Sequence, residues 1–160
     1  MFRGHLFRVA TAVVVAKTLF CSVTLDAGPP PKLSPAESRG KIIYTSGRTA
    51  SGKRLGYRIA AGGEYLPSRG VGCENCHGDD GKGREGDVLT PAITFETLIN
   101  PFTFRSRSRS PYTSDDLLAR AITEGIDVSD NTLNITMPRW ALSKSEVKDL
   151  LAYLKRLRNE

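Results

Sequence analysis

A chain of 160 residues with 39% apolar and 25% charged side chains is sized for one domain and is neither disordered nor membrane-embedded along its length. Aromatic residues make up only 8%, thin material for a core built from side chains alone. The net charge of +6 favours acidic partners or anionic surfaces, but no nucleic-acid motif accompanies it, and three cysteines are a poor disulfide framework.

Residues 1–27 have the layout of a secretory signal. Arg3, His5 and Arg8 precede an apolar run from Val9 to Ala16, which Lys17 interrupts and Thr18 to Val23 continues. The run is short and broken for a transmembrane helix. Cleavage is expected after Leu25-Asp26-Ala27, with an uncleaved membrane anchor as the alternative. Cys21 raises lipidation as a third option, although Phe20 stands where a lipoprotein signal needs a small residue. Cleavage removes three basic residues and Asp26, so the net charge falls by two to +4. Residues 28–33, with Pro29, Pro30 and Pro31 together, read as a stiff linker.

A domain is expected over 34–160. Ser34-Pro35-Ala36-Glu37 is a capping box with proline at the first helical position, so a helix should run to about Thr45 and stop at Gly47, with Ile43 in the core. Glycines then become frequent through 46–72. Leu55-Gly56-Tyr57-Arg58-Ile59 alternates before Gly62-Gly63 and Glu64-Tyr65-Leu66, which reads as a short β-hairpin. Gly78 to Asp87 is charged, Gly-rich loop. Thr113-Ser114-Asp115-Asp116 caps a second helix over Leu117 to Glu124, closed by Gly125. A third opens at Ser143 with Glu146 completing a capping box. It sets Val147, Leu150, Leu151, Leu154 and Leu157 at helical spacing.

Chemistry concentrates at Cys73-Glu74-Asn75-Cys76-His77. In C-x-x-C-H the two thiols add to the two vinyl groups on one porphyrin edge, and the adjacent histidine is delivered to the iron. One covalently attached haem c is therefore the expected cofactor. A zinc site would need further ligands, and beyond residue 27 the chain has no other cysteine or histidine. A thioredoxin-type pair would follow a strand in a βαβ unit, whereas this motif follows a glycine loop. Past residue 27 the only methionine is Met137, so the sixth ligand by elimination is its thioether; the alternative is that Met137 fills core space. With both axial positions filled, electron transfer rather than catalysis is the expected work.

With Gly40-x-x-x-Tyr44, C-x-x-C-H, Met137-Pro138 and Leu151-Ala152-Tyr153-Leu154 in this order, the chain resembles the class I monohaem cytochromes c. The resemblance covers roughly 34–158 and implies a mainly α fold, with three or more helices around one haem and long loops. It implies that the first and last helices cross at Gly40 with Tyr44 and Tyr153 beside the crossing. It also implies that Pro91 offers its carbonyl to the ligand histidine, orienting the ring. Met137-Pro138-Arg139-Trp140 is similar to the methionine loop of bacterial members. There Trp140 would pack on the haem edge, donate to a propionate, or serve as plain core, and Arg139 lies within the same loop. The hairpin-like insert at 46–72 departs from the shorter members. Together with Pro91-Ala92-Ile93-Thr94, it is similar to a subgroup of periplasmic bacterial cytochromes.

Arg105-Ser106-Arg107-Ser108-Arg109-Ser110 is a basic, low-complexity run expected as a solvated loop, or as a surface that steers an acidic redox partner. Asp79, Asp80 and Asp87 sit near glycines but lack the spacing of a calcium loop. The expected function is a periplasmic single-electron carrier, soluble or tethered by its N-terminus. The alternatives are the cytochrome subunit of a dehydrogenase and, from another class, a haem-based sensor.

Overall fold

The computed structural model describes residues 32–59, 62–84 and 90–158; the expected signal with Cys21, the three prolines and Asp87 lie outside them. Ser34 caps helix α1 (Pro35–Ser46), accepting from the Glu37 backbone while the Glu37 carboxylate accepts from the Ser34 N–H at 2.6 Å. Gly47 closes the helix in the left-handed region at φ 59°, its N–H donating to the Ile43 carbonyl. Leu33, at the end of the expected linker, packs against the core.

The last helix, α5 (Lys144–Leu154), is built the same way, with Ser143 as N-cap and Glu146 completing the box. It lies across α1. Gly40 makes the crossing possible, because a Cβ there would sit 1.9 Å from the Asp149 carbonyl oxygen. Arg39 spans the crossing with a two-point grip on the Asp149 carboxylate, both bonds 2.7 Å. The Tyr44 and Tyr153 rings meet below it at 5.3 Å, tilted by 58°. Ile43, Leu150, Leu151 and Leu154 fill the core beside them.

The hairpin in 46–72 is present as strands β1 (Gly56–Arg58) and β2 (Leu66–Pro67), paired antiparallel with Tyr57 opposite Leu66. The haem motif forms a single helical turn, α2 (Glu74–His77), and a further short helix, α3 (Phe95–Ile99), follows Thr94, whose hydroxyl caps it. The Arg-Ser run departs from the expected loop. Phe102–Phe104 (β3) and Arg107–Arg109 (β4) pair as a tight hairpin turning at Arg105, with the Phe102 and Phe104 rings 6.5 Å apart. Arg109 anchors it, donating to the Leu98 and Thr97 carbonyls and lying over the Tyr112 ring.

Helix α4 (Asp115–Thr123) starts two residues before the expected Leu117, because Ser114 rather than a later residue is the N-cap. The chain then loops to a strand that the sequence did not announce, β5 (Arg139–Ala141). This strand adds to β1, with Tyr57 opposite Trp140 and Arg58 opposite Arg139, giving a sheet in the order β2-β1-β5. The architecture is mainly helical with two small antiparallel sheets. Among the described residues no helix is long and apolar enough to cross a membrane.

Candidate haem site

The motif is set by what immediately precedes it. Gly72 passes so close to the end of α1 that a Cβ would meet the Tyr44 carbonyl at 2.3 Å, and its N–H donates to Asn75 Oδ1 at 2.8 Å. That bond turns the chain into α2. Within this turn Cys73 and Cys76 are three residues apart and therefore neighbours on one side, both with free thiols. Burial pushes the Cys73 thiol up to about 12.

His77 is buried, and its N–H donates to the Cys73 carbonyl at 2.8 Å. Its Nδ1 lies 2.9 Å from the Pro91 carbonyl oxygen. A carbonyl can only accept, so Nδ1 carries the proton and the lone pair is left on Nε2. Burial lowers the imidazole's affinity for a second proton, more than the Pro91 bond raises it. The ring is thus a neutral, oriented nitrogen donor.

The loop after the motif folds back over it. Gly83 donates to the His77 carbonyl at 2.8 Å, Ile93 donates to the Gly81 carbonyl at 2.7 Å, and the Thr90 hydroxyl donates to the Cys76 carbonyl. From the other side the buried Tyr44 hydroxyl donates to the Gly78 carbonyl at 2.5 Å, and burial pushes this phenol's pKa far up, keeping it a donor. Asp80 turns inward on its own loop, accepting from the Lys82 N–H. Among the described residues no group of three or more histidine, cysteine or acidic side chains could hold a metal ion by itself.

Met137 lies half-buried in the loop between α4 and α5, just before β5. Its N–H donates to the Asn134 carbonyl at 3.0 Å, and its own carbonyl accepts from Arg139 at 2.5 Å. Arg139 is only 2% exposed, an unusual place for a guanidinium. Gly125 makes the space: a Cβ there would lie 2.1 Å from Arg139 Nε. Trp140 is buried in the core, its ring 5.7 Å from that of Tyr57.

Cys73, Cys76, His77 and Pro91 are thus brought together around one helical turn. Met137, Arg139 and Trp140 form a second group tied to β1, and no hydrogen bond among the described residues joins the two. Sequence reasoning missed the Tyr44 and Thr90 hydroxyls that fix the motif's carbonyls, and Tyr57 as the neighbour of Trp140. The alternation over 55–59 marked Tyr57 as a strand residue, but nothing local named its partner. The donor set suits a covalent haem: two free thiols on one turn, and a neutral imidazole whose outer nitrogen is free because its inner one is engaged.

The family model described as Cytochrome c matches residues 59–158 of the chain. No curated protein and no solved structure matches it. The match starts just after β1 and runs past the end of the last helix, so it spans the C-x-x-C-H turn, the loop that carries Met137 and α5. The chain belongs to the cytochrome c family and is a haem-based electron carrier whose cofactor is covalently bound haem c.

Proposed function

We propose that this protein is an extracytoplasmic single-electron carrier in which Cys73 and Cys76 form the thioether bonds, His77 is the proximal ligand and Met137 the distal one. The observation that carries this reading is the 2.9 Å bond between His77 Nδ1 and the Pro91 carbonyl, which leaves Nε2 as the nitrogen available to a metal. The haem, when bound, supplies an iron that cycles between two oxidation states, and a methionine thioether favours the ferrous one. The chain's own residues orient the imidazole through Pro91, fix the motif's carbonyls through Tyr44 and Thr90, and hold Met137 in a bonded loop.

The N-terminal 27 residues support export to the periplasm, by the pattern of charge and apolarity described above. The β3–β4 hairpin supports docking to acidic redox partners. Its strands and turn carry Arg105, Arg107 and Arg109 with no acidic residue between Phe102 and Arg109. The same surface suits a fixed catalytic partner, a dehydrogenase to which this chain would be the cytochrome subunit.

Absorption spectroscopy of the ferric protein tests the ligand assignment. The expected result is a weak sulfur-to-iron band at the red end of the visible spectrum, lost in Met137→Ala. A native spectrum without that band, unchanged by Met137→Ala, would refute the distal ligand while leaving the haem intact. Haem that stays with the chain in a denaturing gel, and leaves it in the double variant Cys73→Ser/Cys76→Ser, tests the thioether bonds.

A further inference from the structure

The insert at 46–72 is in contact with the loop that carries Met137, and one side chain ties the two together. Arg139 Nη1 donates to the Met137 carbonyl at 2.5 Å, the Asn134 carbonyl at 3.2 Å and the Ile59 carbonyl at 3.2 Å. Its Nη2 donates to the Leu133 carbonyl at 3.0 Å. Three of these acceptors belong to the methionine loop, and the fourth belongs to the insert, 80 residues away in the chain. Backbone pairing of β1 with β5 and the contact of Tyr57 with Trp140 reinforce the same junction.

We infer that the insert and Arg139 together act as a clamp on the methionine loop, and that Arg139 is a positioning residue setting how readily Met137 gives way to an external ligand. The inference rests on Met137 being the distal ligand.

The physical case begins with cost. A guanidinium this deeply buried loses its water, and among the described residues no carboxylate pairs with it; its solvation comes from four carbonyl oxygens, and its Nε finds no acceptor. Such an arrangement is retained only where the carbonyls are held in place around it. Opening the loop would break the bonds to Leu133, Asn134 and Met137 together and leave the charge unsatisfied. The loop therefore has a closed state separated by a steep penalty from any state in which Met137 is displaced. The rigid planar fork matters, because its donors point in fixed directions towards acceptors on two chain segments. A lysine in this place keeps the charge and loses the fork.

An exogenous ligand binds the ferric iron only in the open state, so its apparent affinity reads the open fraction directly. Imidazole is the probe. In Arg139→Lys the expected apparent affinity for imidazole rises about tenfold, the size of one lost charged hydrogen bond. The midpoint potential falls with it. Tyr57→Ala, which leaves the fork intact and loosens the insert, shifts both in the same direction by a smaller amount. Ile43→Val, a core change in α1 that makes none of the clamp's hydrogen bonds, lowers the melting temperature and leaves imidazole affinity at the native value.

If Arg139→Lys does not fold, Tyr57→Ala decides the matter. Native imidazole affinity in the folded loop variants, with the sulfur–iron band present in the native protein, overturns the clamp and leaves Met137 ligation standing. An equal rise in Ile43→Val also overturns it, since the effect would then be general destabilisation. A native protein without the band, unaltered by Met137→Ala, removes the distal ligand and the clamp with it.

Discussion

Gly40 and Asp149 meet backbone to backbone where the first and last helices cross, the Asp149 carbonyl oxygen standing 1.9 Å from where a Gly40 Cβ would be. No rotamer change relieves such a contact, because the obstructing atom is main chain. Gly40→Ala must force α1 and α5 apart, straining the Arg39–Asp149 grip and unpacking Tyr44 from Tyr153. The expected loss is about 3 kcal/mol, read as a shift of the denaturant midpoint at unchanged slope.

The Tyr44 hydroxyl, fully buried, is the donor that satisfies the Gly78 carbonyl directly after the haem motif. Tyr44→Phe keeps the ring contact with Tyr153 and leaves that carbonyl without this partner. The expected cost is about 1.5 kcal/mol in thermal or denaturant unfolding, with the absorption spectrum unaltered. A variant as stable as the native protein would show that Gly78 finds another donor.

Gly125 serves both as the left-handed residue after α4, at φ 73°, and as the floor beneath the Arg139 guanidinium. Gly125→Ala meets both constraints at once. It should lose about 2 kcal/mol of stability from the backbone alone, and its displaced arginine should weaken the sulfur–iron band. Stability loss without any spectral change would separate the two roles.

On the β3–β4 hairpin, Arg105 and Arg107 are exposed, whereas Arg109 is engaged with Leu98, Thr97 and Tyr112. Reversing the two exposed charges in Arg105→Glu/Arg107→Glu leaves the anchor alone. Oxidation of the ferrous protein by the ferricyanide anion should slow about tenfold at low ionic strength. The difference from the native rate should vanish as salt screens the surface. Stopped-flow rates independent of both the substitution and salt would exclude this face as the electrostatic guide.

What the sequence made legible was local. Ser34 with Glu37, and Ser143 with Glu146, carry their capping boxes within four residues, so α1 and α5 could be placed from the chain alone. Cys73, Cys76 and His77 are equally plain, because porphyrin dimensions fix their spacing within one turn. The β3–β4 hairpin was hidden because its serines and arginines look like solvated loop; the structure pairs Phe102–Phe104 with Arg107–Arg109, and Arg109 holds the second strand. Strand β5 was hidden for a deeper reason. Three residues, Arg139 to Ala141, carry too little pattern to announce a strand, and their partner β1 lies more than half the chain away. The acceptors that make Arg139 intelligible are backbone carbonyls, which leave no trace in side-chain identity.

The pairing of β1 with β5 has a consequence for how the chain reaches its native state. It closes a loop containing the haem motif, α3, the β3–β4 hairpin and α4. Loops of that length close late, since their entropy is lost before any contact rewards it. The helices and the motif turn can form from neighbours, whereas the methionine segment must wait for a strand made long before it. In refolding, recovery of helical signal should therefore precede recovery of the sulfur–iron band, and both appearing in one phase would count against this order. On the proposed ligation, binding of Met137 to the iron would then report that β1 and β5 have met.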